Sequence, residues 1–424
     1  MKTNYSIKIH NKQMFGFSMT LMILAIIIGI SGNNIGEFVF TTCVFLYIVI
    51  KAKVSYFTFF SGILWFSFLQ EFFASINPLL ASGKLRWDTS VPIYYQELYI
   101  CTIYFFLIEI LIFSISNVLD NERAIYKTKI IISNKIAVIF SLMSLFLIIL
   151  AYPTIPLLSA DLSRDQGIIS SSLIVPIALV MLSITIDHVK NSKLILAVWI
   201  IENIWVLFHG DRVIVFGLAI YVILKYLNNG SEKNISWFRT FFNKKMMLAI
   251  LGGVLLISMG IRIQITRMGS SYQFSMSSLI NSILKQGTAA DVVHCFNCAT
   301  NMWKTGNTTN GFTYMQYIVN WIPFLEDPYA PARILMKRYN TLGGGLFFCE
   351  PMMNNGIVGT YVYSTLFLML LVWIYNRRTL YRAFLVIPFV ILIFRFAWYA
   401  SLAGCITMVA YVIPFLYFIS RKFK

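Results

Sequence analysis

The chain contains about twelve runs of apolar residues that are long enough, or nearly so, to cross the hydrocarbon core of a lipid bilayer as helices. The runs fall at positions 14–30, 35–50, 54–73, 98–115, 136–152, 168–186, 194–208, 213–227, 246–261, 356–375, 383–399 and 405–420. Lipid offers backbone groups no hydrogen-bond partner, so uninterrupted runs of this kind predict helices and not a barrel of strands. The sequence therefore predicts an all-α polytopic membrane protein of about twelve transmembrane helices.

The distribution of basic residues predicts which side of the membrane each loop faces. If the N-terminus is cytoplasmic, roughly 22 of the 34 lysines and arginines lie in cytoplasmic segments, as the positive-inside rule requires. Seven of the others lie in one long loop, and long loops cross the membrane largely regardless of charge. We therefore expect both termini in the cytoplasm. Because topology accounts for the net charge of +17, nucleic acid is not expected as a partner.

This topology divides the chain into three parts. Residues 1–261 hold the first nine predicted helices with short loops, 262–355 form one large extracytoplasmic loop, and 356–424 hold the last three helices and the cytoplasmic tail. Two stretches of the loop, 276–284 and 314–325, are amphipathic or rich in aromatic residues. Such segments favour the membrane surface, so we expect both to lie there.

Arginines near the predicted outer ends of the spans are the main candidates for substrate binding. A guanidinium group can hold a phosphate or diphosphate at two points and keeps its charge at any physiological pH. For any single arginine, contact with lipid headgroups is an equally good explanation. Arginines recessed into a span are harder to explain that way, because such charges usually face a polar cavity or a partner. The candidates are Arg164, Arg212, Arg262, Arg267, Arg333, Arg338 and Arg395, of which Arg212 and Arg395 are recessed.

Two residues are candidates for a general acid or base. Glu350 follows a glycine-rich stretch at the outer boundary of a span, where a carboxylate among apolar neighbours suits a general base, although an ion-pair role stays open. His209 lies on an outer turn and is the second candidate, with a structural role as the alternative. Glu109 and Glu202 lie within spans and are either partners of an arginine or parts of a proton relay.

A compact group of possible metal ligands occurs within the long loop at Asp291, His294, Cys295 and Cys298. Its spacing is too sparse to close a tetrahedral zinc site without distant ligands, so a disulfide, free thiols or local packing are favoured over a metal. The sequence also lacks the short motifs of nucleotide-binding loops, zinc proteases and serine hydrolases. ATP hydrolysis and serine or zinc hydrolysis are therefore not favoured.

The combination of these features resembles the Wzy polymerases, and the resemblance covers essentially the whole chain. About twelve spans, cytoplasmic ends and arginine-rich outer loops are the shared pattern. The most specific local match is residues 343–359, a glycine-rich stretch followed by Glu350 and a Gly-x-x-Gly pattern at the start of the next span. Asp211-Arg212 is similar to an arginine that these polymerases often have at the start of a span. The chain departs from the pattern at Pro351 and Met352.

The resemblance implies a GT-C-like membrane glycosyltransferase that polymerises undecaprenyl-diphosphate-linked oligosaccharide repeats into O-antigen at the periplasmic face of the inner membrane. Expected partners are the lipid-linked oligosaccharide, the bilayer, a chain-length regulator and a flippase. A flippase for the same lipid-linked repeats and an O-antigen ligase are the alternatives. The flippase is less favoured because the chain has no detectable internal repeat and places about ninety residues in one loop.

The resemblance also implies roles for individual residues. Arg212, Arg262 and Arg267 would bind the diphosphate. Glu350 or His209 would accept the proton of the attacking sugar hydroxyl. Arg333, Lys337 and Arg338 would form a basic surface that faces the saccharide or the headgroups. The resemblance implies no nucleotide, metal or other cofactor.

Overall fold

The computed structural model describes residues 12–155, 171–229, 287–322, 328–399 and 402–422. Within these ranges all regular secondary structure is helical, and strand-like pairing is confined to one bridge between Gly345 and Tyr399. The α-helices are α1 (Lys12–Ser31), α2 (Asn34–Ala52), α3 (Tyr56–Ile76), α4 (Gly83–Trp87), α5 (Tyr95–Ile115), α6 (Val118–Tyr126), α7 (Asn134–Ala151), α8 (Ser171–Ile184), α9 (Lys193–Phe208), α10 (Arg212–Asn229), α11 (Gly287–Lys304), α12 (Gln316–Val319), α13 (Pro331–Tyr339), α14 (Cys349–Tyr375), α15 (Leu380–Ile391), α16 (Ile393–Tyr399) and α17 (Ile413–Lys422).

Among the described residues, seven helical stretches are long and apolar enough to cross a membrane, and the broken pair α15 and α16 makes an eighth if it counts as one span. The seven are α1, α2, α3, α5, α7, α14 and the segment Ala403–Lys422. The prediction of an all-helical, multi-pass membrane protein is confirmed at this level. Three more of the predicted runs form α8, α9 and α10, which are not among the eight, and the run at 246–261 lies outside the described residues. Twelve spans therefore stay a prediction.

The chain divides into two compact units, and the first comprises residues 1–125, 285–382 and 393–407. Its centre is formed by α3 and α5, in which 61% and 72% of the apolar stretch is buried, against 22% in α1. Aromatic rings fill this centre: Phe60 contacts the rings of Phe105, Phe347 and Phe367 at centroid distances of 5.5, 5.4 and 5.0 Å. Such ring pairs add specificity to a buried core beyond the area they bury.

The second unit comprises residues 126–284, 383–392 and 408–424. Within it α7 packs on α8, and the Ser144 hydroxyl donates to the backbone oxygen of Ala178 at 2.7 Å. An ion pair joins the buried Lys225 to the half-buried Asp187, with 2.7 Å between Nζ and Oδ2. The bounds of the two units differ from those of the three predicted parts, 1–261, 262–355 and 356–424. The three-part division describes membrane topology and stays a prediction.

The region predicted to be a large loop contains a buried helix that the apolar runs did not indicate. Helix α11 has small and polar residues on every side, yet most of its side chains are buried within the first unit. At the end of the same region, α14 begins at Cys349 and not at residue 356. Gly356 instead breaks α14 internally, with a φ of 63° and a ψ of −150°. Glu350 therefore lies in the first turn of α14, in the helical part that precedes the break at Gly356.

Candidate functional site

The carboxylate of Glu350 is fully buried and is held by side chains of one loop segment. Its Oε1 accepts hydrogen bonds from the Thr313 hydroxyl at 3.2 Å and from the Gln316 amide at 2.5 Å. Its Oε2 accepts one from the Tyr317 phenol at 2.9 Å. Three donors suit an ionised carboxylate, because a buried charge is tolerated only when its lone pairs are satisfied. The donors recur at positions i, i+3 and i+4, which is the spacing of one helical face.

Asn354, one turn after Glu350, fastens the same segment to α14. Its amide nitrogen donates to Thr313 Oγ1 at 2.6 Å, and its amide oxygen accepts from the Gly311 N–H at 2.9 Å and from the Thr309 hydroxyl at 2.5 Å. Both ends of the amide are thus satisfied within the protein. We call residues 309–317 together with Glu350 and Asn354 the junction cluster, since they join the loop region to the start of a span.

Tyr317 extends the junction cluster toward a less buried position. Its phenol oxygen lies 2.9 Å from Glu350 Oε2 and 2.9 Å from the phenol oxygen of Tyr363, and both tyrosines are half-buried. Burial raises the pKa of Tyr317 well above its ordinary value, and the nearby Tyr363 and Glu350 raise it further. The phenol therefore keeps its proton at physiological pH and donates it to the carboxylate.

The glycine-rich stretch before Glu350 approaches protein backbone. The N–H groups of Gly345 and Phe347 donate to the backbone oxygens of Trp398 at 2.9 Å and Ala397 at 2.8 Å. Gly344 has a φ of +98°, and a Cβ there would stand 3.2 Å from the Trp398 oxygen. In the structure the close approach is to the end of α16.

Arg395 lies in α16, two residues before that contact. Its guanidinium is half-buried and its central carbon is 5.7 Å from the centroid of the Tyr399 ring, a cation–π distance. Arg395 therefore belongs to the same unit as Glu350.

A basic helix, α13, holds two more of the predicted substrate-binding arginines, Arg333 and Arg338. Arg333, Lys337 and Arg338 are exposed, whereas Leu335 is buried beneath them. Arg338 also donates from Nη1 to the backbone oxygen of Asn307 at 3.0 Å. The predicted basic surface is thus present, with Arg333 and Lys337 one helical turn apart.

His209 belongs to the second unit, where both of its ring nitrogens have partners. Nδ1 lies 2.8 Å from the backbone oxygen of Trp205, and a carbonyl can only accept, so Nδ1 carries a proton. Nε2 lies 2.9 Å from the Thr154 hydroxyl. The ring also stacks on Tyr152 at 4.5 Å between centroids, and this set of contacts matches the structural alternative named for His209.

Arg212, the first residue of α10, lies in the second unit beside Asp211, whose carboxylate accepts a hydrogen bond from the Tyr152 phenol at 3.4 Å. Three other predicted ligands, Arg164, Arg262 and Arg267, lie outside the described residues, as does the amphipathic stretch 276–284.

The possible metal ligands of α11 form a hydrogen-bonded group with α4. His294 Nε2 lies 3.4 Å from Asp88 Oδ2 and 3.5 Å from Cys298 Sγ, and the N–H of Lys84 donates to Asp291 at 2.7 Å. Burial lowers the pKa of His294 and raises that of the thiol of Cys298.

All six cysteines of the chain are free thiols. Cys295 and Cys298 are therefore free thiols and do not form the disulfide that the sequence left open. Burial raises the pKa of the Cys295 thiol to about 12, so it is neutral at physiological pH. Across the part of the chain that the structure describes, three or more His, Cys, Asp or Glu side chains do not come together as metal ligands would.

The two carboxylates predicted within spans are bonded to serines. Ser61 donates to Glu109 at 2.5 Å, and the hydroxyl oxygen of Ser144 lies 2.6 Å from a carboxyl oxygen of Glu202. Two further buried carboxylates in spans were missed by the sequence analysis: Glu37 accepts from Gln96 at 3.0 Å, and Glu71 accepts from the amide of an α11 residue at 3.2 Å. A charged residue inside an apolar run was the signal available for both.

No protein family, curated protein or solved structure matches the chain.

Proposed function

We propose that the protein is a membrane glycosyltransferase that polymerises lipid-diphosphate-linked oligosaccharide repeats into a surface polysaccharide. The observation that carries the proposal is the junction cluster: a buried carboxylate at the start of a span, held by donors from the loop region that precedes it. Undecaprenyl diphosphate is the proposed lipid. The proposed location is the extracytoplasmic face of the bacterial inner membrane, with both termini in the cytoplasm and a flippase and a chain-length regulator as partners.

In this reaction the acceptor hydroxyl forms a bond to the anomeric carbon of the donor while the bond from that carbon to the diphosphate oxygen breaks. The acceptor proton must go to a base, and the diphosphate leaves with the electron pair. Glu350 is enclosed by its three donors, so we assign the direct contact to Tyr317. Its phenol oxygen takes the acceptor proton as its own proton passes to Glu350. Glu350 thereby becomes neutral, and the negative charge that it loses appears on the departing diphosphate.

Arginines supply the second requirement, which is stabilisation of the departing diphosphate. Guanidinium groups placed where negative charge develops lower the barrier, provided that they are positioned in advance. Arg395 lies in the same unit as Glu350, and we assign it this task. Diphosphate binding by Arg212, Arg262 and Arg267 stays a prediction from the sequence. Arg333, Lys337 and Arg338 on exposed α13 are assigned to the saccharide or to lipid headgroups.

The test replaces Glu350 with its uncharged isostere in cells that lack the chromosomal copy. Glu350→Gln is expected to leave single repeats on the surface, because removal of a general base slows such a step by about 10²- to 10⁴-fold. Tyr317→Phe should do the same, since it removes the atom that relays the proton. The measurement is the length ladder of surface polysaccharide on a gel, with protein level checked by immunoblot.

Glu109→Gln is the matched control, because it too removes a buried carboxylate that is bonded to a hydroxyl in a span. Long chains are expected from this variant. Long chains from a normally expressed Glu350→Gln variant would exclude Glu350 from the reaction.

A flippase for the same lipid is the second candidate, and the buried carboxylates in spans favour it. Carboxylates such as Glu37, Glu71 and Glu109 are common in proton-coupled transporters. Under this alternative Glu109→Gln would strand repeats on the cytoplasmic leaflet, whereas Glu350→Gln would leave long chains. The two candidates thus predict opposite results for the same pair of variants.

A further inference from the structure

Large apolar side chains are exposed at every third residue of one segment of the first unit. Phe312, Met315 and Ile318 are 57%, 41% and 62% exposed, and the pattern continues into Trp321 and Ile322 at 55% and 60%. The backbone here is a 3-10 helix, Phe312–Met315, that runs directly into α12. A period of about three residues along such a backbone places these side chains on one side of it. We call this side the apolar face.

The opposite side of the segment is polar and attached to the protein. Thr313 and Gln316 are buried and bind Glu350 as described above. At the far end, the backbone oxygen of Asn320 accepts a hydrogen bond from the Thr407 hydroxyl at 2.8 Å. The segment is thus fixed at both ends by its polar side, which holds the apolar face outward.

The apolar face is unsuited to water. Neighbouring exposed apolar groups of this size are rare on soluble surfaces and mark contact with lipid or another protein. The sequence from Asn310 to Leu325 contains no charged residue, whereas surfaces that face water or the rim of a protein partner usually contain several. Trp and Phe at such a position are typical of the boundary between headgroups and acyl chains.

We propose that the apolar face is inserted in the lipid leaflet at which α14 enters the bilayer, so that Phe312–Ile322 lies in the membrane plane as an interfacial helix. Lipid is the occupant that fits the position, because the segment is bonded to Glu350 and Asn354, which lie in the two helical turns of α14 that lead through Gly356 into its long apolar part. The segment therefore lies at the same depth along the membrane normal as the first turns of α14. The proposal does not depend on the glycosyl-transfer reaction.

Insertion also links the bilayer to the junction cluster. Membrane-facing residues alternate with the donors Thr313, Gln316 and Tyr317 along the same short helix. The lipid contact therefore sets the height and the tilt of the three groups that hold Glu350.

The experiment measures the environment of Ile318 with a fluorescent label in full-length protein in lipid nanodiscs. Cys43 is the exposed native cysteine and is replaced by serine, while the other five are buried. Ile318→Cys is then labelled with bimane, and quenching by aqueous iodide is compared with quenching by lipids that carry a nitroxide near the headgroup. Thr305→Cys is the matched control, because Thr305 is exposed on a polar turn of the same unit.

At residue 318 we expect quenching by the lipid nitroxide to be several-fold stronger than at residue 305, and quenching by iodide to be several-fold weaker. Equal iodide quenching at the two positions would mean that the apolar face lies in water and would overturn the proposal. Protection of residue 318 from both quenchers would also overturn it, because a second copy or another protein would then cover the face.

Discussion

Helices α1 and α11 distribute polarity in opposite ways. In α1, large apolar side chains such as Ile23 and Ile26 are 60% and 63% exposed. In α11, the polar side chains of His294, Asn297 and Thr300 are buried. A soluble protein would show the reverse. In lipid, exposed apolar groups cost little, whereas polar groups are stable only where the protein itself provides partners.

The comparison teaches that burial and hydrophobicity are separate quantities in this protein. Helix α1 is among the most apolar helices and the least buried, whereas α11 is among the least apolar and most of its side chains are buried. Four changes, ordered from the largest expected effect to the smallest, test this statement.

The largest effect is expected from a charge on the exposed side of α1. Ile23 lies near the middle of α1, so Ile23→Arg should weaken membrane insertion of this helix by about 2.5–3.5 kcal/mol. The measurement is the apparent insertion free energy of α1 in a microsomal glycosylation assay, with Ile23→Leu as the neutral control. Normal insertion of the arginine variant would mean that lipid does not cover this side of α1.

The second effect comes from making α11 more apolar. The amide of Asn297 donates to Glu71 at 3.2 Å and accepts from the N–H of Tyr94 at 3.1 Å. Asn297→Leu removes these partners and should lower the free energy of unfolding by about 1–3 kcal/mol. Thermal unfolding of the purified protein measures the loss. The exposed amide of Asn307 gives the control, because Asn307→Leu should change stability by no more than about 0.5 kcal/mol.

A smaller effect should follow mild acidification, through His294. Burial lowers the folded-state pKa of His294, while Asp88 opposes this in part. The unfolded chain then binds the proton more readily, so stability should fall as pH drops below about 6.5 and level off beneath the folded-state pKa. The melting temperature between about pH 8 and pH 5 measures the slope. A His294→Gln variant with an unchanged slope would assign the pH dependence to other groups.

The smallest effect is expected from shortening an exposed side chain of α1. Ile26→Ala leaves no cavity within the protein, because lipid fills the space, and stability should change by no more than about 0.5 kcal/mol. Val293→Ala in α11 is the matched buried change, since Val293 is fully enclosed, and it should cost more. Equal melting temperatures for the two variants would remove the distinction between the helices.

Local patterns predicted the spans because a run of apolar residues is sufficient to define one. In the part of the chain that the structure describes, seven apolar stretches form helices long enough to cross a membrane, and the broken pair α15 and α16 forms an eighth if it counts as one span. The same criterion could not find α11, since nothing in the run Gly287–Lys304 is continuous enough to indicate a span. Its burial depends on partners such as Glu71 and Asp88, which lie about two hundred residues earlier in the chain.

The candidate site was predictable in one residue and not in its surroundings. Glu350 could be found because a carboxylate beside a glycine-rich stretch stands at a span boundary. Its donors Thr313, Gln316 and Tyr317 have the spacing of one helical face, but aromatic content directed attention to the other face of that segment. His209 and Arg212 were grouped with Glu350 by their shared position at outer ends, although the structure assigns them to a different unit.

Gly356 has a consequence for how the span α14 is positioned in the chain. A Cβ at this residue would overlap the indole ring of Trp303, and the positive φ is unfavourable for any side chain. The bend that aims Glu350 and Asn354 at their loop partners is therefore specified by a missing methyl group. The indole ring of Trp303, from α11, occupies the space that a side chain at residue 356 would need. The absence of a side chain at this one residue therefore determines the direction in which the long part of α14 begins.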